Sequence, residues 1–138
     1  MYPEHLTAPM KSELIQEGFM DLTTPDAVST LLDNEKGSVL LLVNSVCGCA
    51  AGSARPGVKL AVQKAAKKPT KSATVFAGVD AAATQKAREY MLPYPPSSPA
   101  VALFKGGELV HVVERHHIEG RTAEMLAEHL TAVFDEFC

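Results

Sequence analysis

Two cysteines separated by one glycine, Cys47-Gly48-Cys49, are the residues of this chain whose type and spacing point most directly to chemistry. Paired sulfurs can exchange: a thiolate attacks a disulfide, a mixed disulfide forms, and the second sulfur displaces the first partner. The spacing is tight. A disulfide needs its Cα atoms about 4.4–6.8 Å apart, and two residues of extended chain span roughly 7 Å. The backbone must therefore turn, and Gly48 is the expected point of freedom. A ring closed over one residue is expected to be strained, and strained disulfides are the labile, oxidising kind. The alternative, a pair of inert core thiols, fits less well with the Gly and Ala that surround the pair, which read as a turn.

The element before the dithiol is an unbroken apolar run, Val39-Leu40-Leu41-Leu42-Val43, bounded by polar residues and expected to be a buried strand. The cysteines then sit at the carboxyl end of a strand, where open α/β sheets place their ligands. Ala50 to Lys68 is small and then helical in pattern, with Pro56 either at a fresh first turn or at a kink. A thiol at a helix amino terminus meets partial positive charge, which favours the thiolate. Cys47, the first of the two sulfurs, is expected to have the lower pKa.

The remaining elements follow from periodicity and caps. Pro9 and Gly18 bracket a helix from Met10 to Glu17, Phe19 to Leu22 allows a short strand, and Thr24-Pro25 opens a second helix. Ala73 to Val79 reads as a strand, with Asp80 capping a helix from Ala81 to about Met91. After a loop holding Pro93, Pro95, Pro96 and Pro99 comes a hairpin, Ala100 to Phe104 and Glu108 to Glu114 around Gly106-Gly107. A last helix runs from about Thr122 to Phe137. Met91, Met125 and the aromatic residues are expected in or near the core. The order predicts one α/β domain over residues 1–138: a mixed central sheet flanked by helices, with an N-terminal helical extension at 1–18.

Composition excludes several classes. The chain has 138 residues, 46% of them hydrophobic and 21% charged, and a net charge of −3. That balance suits a globular domain and gives no basic surface for nucleic acid or anionic membrane. No apolar run reaches membrane-spanning length, and the start lacks the pattern of a signal peptide. A cytoplasmic protein is expected, where paired thiols are more often catalytic or metal-binding than structural. Cys138, the last residue, is either a further resolving thiol or a side chain on a frayed terminus, and the second is preferred.

A strand ending in a dithiol, a helix, and a later proline just before a hairpin strand resemble the thioredoxin fold. The chain more closely resembles the bacilliredoxin family. The resemblance rests on Val43 to Gly52, on Ala54-Arg55-Pro56, on Thr74 to Gly78, on Pro96-Ser97-Ser98-Pro99, on Arg115-His116 with Ile118-Glu119-Gly120, and on the terminal cysteine. It implies thiol–disulfide exchange, in particular removal of bacillithiol from S-bacillithiolated proteins, with disulfide isomerisation or reduction of thioredoxin type as the alternative. It implies Cys47 as the attacking and Cys49 as the resolving sulfur. Partners would be proteins carrying mixed disulfides and a low-molecular-weight thiol, bacillithiol or another, as co-substrate, with no resident cofactor and no metal.

Four further residues are candidates for substrate binding. The resemblance implies a cis Ser98–Pro99 bond that leaves the Ser98 backbone free to pair with a substrate strand. Arg55 either favours the Cys47 thiolate, or grips a carboxylate of bacillithiol, or is a solvated helix charge. His116 either shuttles a proton at the dithiol edge or belongs to the loop before the last helix, as does His117. His111 is read as structural or exposed. A different class of function, zinc or an iron–sulfur cluster on the three sulfurs and a histidine, is disfavoured because the spacing matches no zinc pattern.

Overall fold

The structure is a computed structural model and describes residues 2–138. Its centre is β2 (Ser38–Asn44), all seven residues of which are buried. A strand buried on both faces needs no alternation of polar and apolar residues, which is why this segment is apolar throughout. Its side chains nonetheless divide by the strand's period of two. Leu40 and Leu42 enter one core, and Val39, Leu41 and Val43 enter the other.

The sheet has five strands in the order β1-β3-β2-β4-β5, with β1 at Met20–Asp21, β3 at Lys71–Phe76, β4 at Ala100–Lys105 and β5 at Glu108–Val113. β1, β3 and β2 run parallel, and β4 and β5 are antiparallel to their neighbours. The sheet is mixed and carries helices on both faces, as expected. α2 (Pro25–Asn34) and α4 (Ala81–Tyr90) cover one face. α1 (Glu4–Ile15), α3 (Arg55–Lys64) and α6 (Ala123–Phe137) cover the other. A four-residue helix, α5 (Arg115–Ile118), links β5 to α6. No helix among the described residues is long and apolar enough to cross a membrane.

Caps explain two helix starts and miss a third. The Thr24 and Thr122 hydroxyls each accept a backbone N–H three residues on, from Ala27 and Met125, both at 3.1 Å. Asp80 makes no such cap. Its carboxylate accepts instead from Lys11 Nζ at 2.7 Å, tying α1 to the start of α4. α1 also begins earlier than Met10 and holds Pro9 in its interior. Nor is it an appendage: Leu14 is fully buried in the core shared by α3 and α6. Met125 departs from expectation too, being half exposed at the start of α6, whereas Met91 is buried.

Between the dithiol and α3 the helix widens into a π turn at Ala50–Ala54, where the Arg55 N–H reaches back to the Ala50 carbonyl. Pro56 has no N–H, and its ring excludes the carbonyl four residues earlier. The wider turn absorbs both defects without breaking the helix. α3 and α6 then run side by side away from the dithiol. Gly57 lies so near Leu126 that a Cβ would stand 2.8 Å from that side chain, and at the far end Lys67 Nζ donates to the Asp135 carbonyl.

Candidate functional site

Cys47 and Cys49 lie where the chain leaves β2 and enters the first turn of the helix. Their sulfurs are 2.7 Å apart, both are free thiols, and both are half-buried. The turn that brings them together is the helix's own first turn. Gly48 does not occupy the left-handed region, and nothing lies within 4 Å of where its Cβ would be. The conformational freedom expected of Gly48 is therefore not what forms the pair.

The two thiols are electrostatically unequal. Burial pushes the Cys47 thiol up, but the Cys49 thiol, the Ala50 N–H, the Ser45 hydroxyl and the Arg115 guanidinium outweigh it, and the net shift is downward. Burial pushes the Cys49 thiol up, and the neighbouring Cys47 sulfur adds to this, with Arg115 offsetting only part. Of the two, Cys47 is therefore the sulfur on which the thiolate is favoured. The direction agrees with the sequence expectation, but the charges responsible differ.

Arg55 is the main correction. It is neither solvated nor facing the sulfurs: it is 3% exposed. Its Nη1 donates to Asn44 Oδ1 at 2.9 Å and to the Ser45 carbonyl at 2.7 Å, and its Nε donates to Glu13 Oε2 at 3.0 Å. Asn44 Oδ1 also accepts the Ser45 N–H at 2.8 Å, and the Ser45 hydroxyl accepts the Cys47 N–H at 3.2 Å. Arg55 thus braces the segment that carries Cys47 from behind. It is buried because α1, misplaced in the sequence reading, covers this side of α3; Glu13 also receives Lys59, one turn after Arg55, at 2.9 Å.

The cation that faces the sulfurs is Arg115. Its Nη1 donates to the Ser98 carbonyl at 3.1 Å, its Nε to Glu119 Oε1 at 2.8 Å, and its backbone N–H to Ser97 Oγ at 3.4 Å. The Ser98–Pro99 bond is cis, as the resemblance implies, and Leu92–Pro93 is cis as well. Only half of the Ser98 backbone is free. Its N–H has no backbone partner among the described residues, while its carbonyl is taken by Arg115. His116 packs against His117, ring centroids 4.0 Å apart; on this edge the structure brings Arg115, one residue earlier, to the thiols. His111 is half-buried and pairs with His129, Nε2 to Nε2 at 2.9 Å.

Cys138 does not join this site. Its N–H completes the last turn of α6 by bonding the Phe134 carbonyl at 2.8 Å, and its side chain packs on the core, so it is not frayed. α6 starts beside the π turn, where Ser53 Oγ bonds the Arg121 carbonyl. Its 15 residues rise about 22 Å to the opposite end. Three sulfurs are therefore not assembled for a metal.

Over residues 2–138 the sequence matches the family described as Disulphide isomerase. The chain belongs to that family. It is 60% identical over 136 residues to a bacilliredoxin of Cytophaga hutchinsonii, covering 99% of each chain. It is 48% identical over 137 residues to a bacilliredoxin of Bacillus cereus, covering 99% of this chain and 95% of that one. Among solved structures it is similar to mitochondrial thioredoxin 3 of Saccharomyces cerevisiae, with a TM-score of 0.58 at 13% identity over 86% of this chain and 94% of that one. It is also similar to oxidized thioredoxin O2 of Arabidopsis thaliana, with a TM-score of 0.56 at 15% identity over 88% and 95%. The fold is that of thioredoxin, and the family makes the chain a thiol–disulfide oxidoreductase.

Proposed function

We propose that the protein removes bacillithiol from S-bacillithiolated proteins, with Cys47 as nucleophile and Cys49 as resolving thiol. The observation that carries the order of attack is the unequal pair: the surroundings lower the Cys47 thiol and raise the Cys49 thiol beside it. The relatives named bacilliredoxin support the choice of thiol.

The Cys47 thiolate attacks the bacillithiol sulfur of the mixed disulfide. A Cys47–bacillithiol disulfide forms, and the target protein leaves as its thiolate. Cys49 then loses its proton and attacks the Cys47 sulfur, giving a Cys47–Cys49 disulfide and releasing bacillithiol. A low-molecular-weight thiol resets the pair through two further exchanges. Alternatively, a second bacillithiol clears Cys47 directly, and Cys49 is bypassed. No resident cofactor takes part. In both routes the Ser98 N–H is the backbone donor available to an incoming strand, and Arg115 supports the thiolate.

A second reading, isomerisation or reduction of protein disulfides, is favoured by the description of the family. Intact mass after exposure to a bacillithiolated protein separates the two. Cys49→Ala is expected to retain bacillithiol on Cys47, and Cys47→Ala to retain nothing. A protein adduct on Cys49→Ala favours the second reading. Equal trapping by both variants, or none by Cys49→Ala, rules out this order of attack.

A further inference from the structure

Four of the chain's five histidines, His111, His116, His117 and His129, gather where β5, α5 and α6 meet, and the exchange steps proposed above call on none of them. A cavity of about 210 Å³ at this corner is lined by His111, His117, His129 and Arg121. His111 and His129 satisfy each other: at 2.9 Å one Nε2 donates and the other accepts. Glu114, His116 and His117 do not. None of the three side chains has a hydrogen bond or ion pair to protein among the described residues, yet one donor atom from each lies within 4.8 Å of the other two.

We propose that Glu114, His116 and His117 form a binding site for a divalent transition-metal ion of the zinc type, independent of the dithiol's sulfurs. Two imidazoles and a carboxylate are a donor set that zinc accepts, with the remaining position left to water. Tetrahedral zinc holds such donors about 3.4 Å apart, given bond lengths near 2.1 Å. Closing from 4.8 Å or less is within the side-chain freedom of this segment, since His116 and His117 are exposed and Glu114 is half-buried. The backbone assists: Glu114 is extended at the helix start, and the turn of α5 brings His117, whose N–H bonds the Glu114 carbonyl at 2.9 Å, back toward it. Hard cations such as magnesium are disfavoured by two nitrogen donors.

Cobalt(II) is the probe, titrated into a Cys47→Ser/Cys49→Ser protein so that the dithiol cannot compete. One equivalent is expected to bind with ligand-field absorption and without a thiolate-to-metal charge-transfer band, and zinc is expected to displace it. His116→Ala and His117→Ala, both at exposed positions, are each expected to weaken binding at least tenfold with unchanged circular dichroism, and Glu114→Gln to weaken it less. His129→Ala is expected to leave it unchanged. The assignment is overturned by absence of binding at millimolar cobalt, by binding that survives both His116→Ala and His117→Ala, or by loss in His129→Ala alone.

Discussion

At the scale of single residues, the site is set by which charges meet the sulfurs. Arg115 is exposed yet directed at the dithiol and the Ser98 carbonyl. Removing its charge raises the Cys47 pKa. Arg115→Gln is therefore expected to slow alkylation of Cys47 at mildly acidic pH by a few-fold, with little change at high pH. In the unaltered protein the rate is expected to rise with pH and level off below the range of an ordinary thiol, about 8.5. In the variant the plateau moves to higher pH. An unchanged profile would remove Arg115 from the mechanism. Gly48 is the opposite case. Its helical backbone and the open space at its Cβ predict that Gly48→Ala unfolds at equal or higher urea, gaining up to about 1 kcal/mol. A loss of stability would show that glycine is required there.

At the scale of elements, two contacts hold the dithiol segment in place. Arg55 links α3 to the end of β2 and to α1, and its loss leaves the Ser45 carbonyl and Asn44 short of a buried donor. Arg55→Met is expected to cost about 1–3 kcal/mol in urea denaturation. It should also broaden the difference in reactivity between batches of probe of different size, since the segment before Cys47 loses its brace. Stability equal to that of the unaltered protein would contradict this role. The α3–α6 contact is a packing constraint. At Gly57 an added methyl meets the Cβ, Cγ and Cδ2 of Leu126 at 2.8–3.1 Å, too near the helix backbone for the leucine to swing clear. Gly57→Ala is expected to lose about 1–3 kcal/mol, and Leu126→Ala in the same chain to recover part of it.

For the whole molecule, the parallel course of α3 and α6 puts the third sulfur at the end opposite the dithiol. Cys138→Ser is expected to leave the rate of mixed-disulfide reduction unchanged, because about 22 Å separates the two ends of α6. The same substitution is expected to lower stability slightly, since the Cys138 side chain packs on the core. A loss of turnover with retained folding would place Cys138 in the reaction through a second molecule.

Much of this was legible from local signals. The apolar run of β2, the Thr24 cap, the Gly106-Gly107 hairpin and the periodicity of α6 depend on residues near one another in sequence, and each appears where pattern places it. The dithiol was legible too, because strand, turn and helix are contiguous. Asp80 and Arg55 were not. Each has a plausible local role, cap or solvated charge, but a residue of α1, Lys11 or Glu13, offers a stronger partner.

By itself, then, the sequence determined the order of elements, the mixed sheet with helices on both faces and the adjacency of the two cysteines, since apolar period, turn chemistry and cysteine spacing are all encoded within short windows. Only the tertiary structure decided which cation serves the thiols. Arg55 and Arg115 are six and sixty-six residues beyond Cys49, and both are arginines near a strand or helix end; nothing local distinguishes them. The covering of α3 by α1 buries the first behind the dithiol segment, and the return of the chain through β4 and β5 carries the second to its front. Charge acts through space, so its assignment waits on the fold.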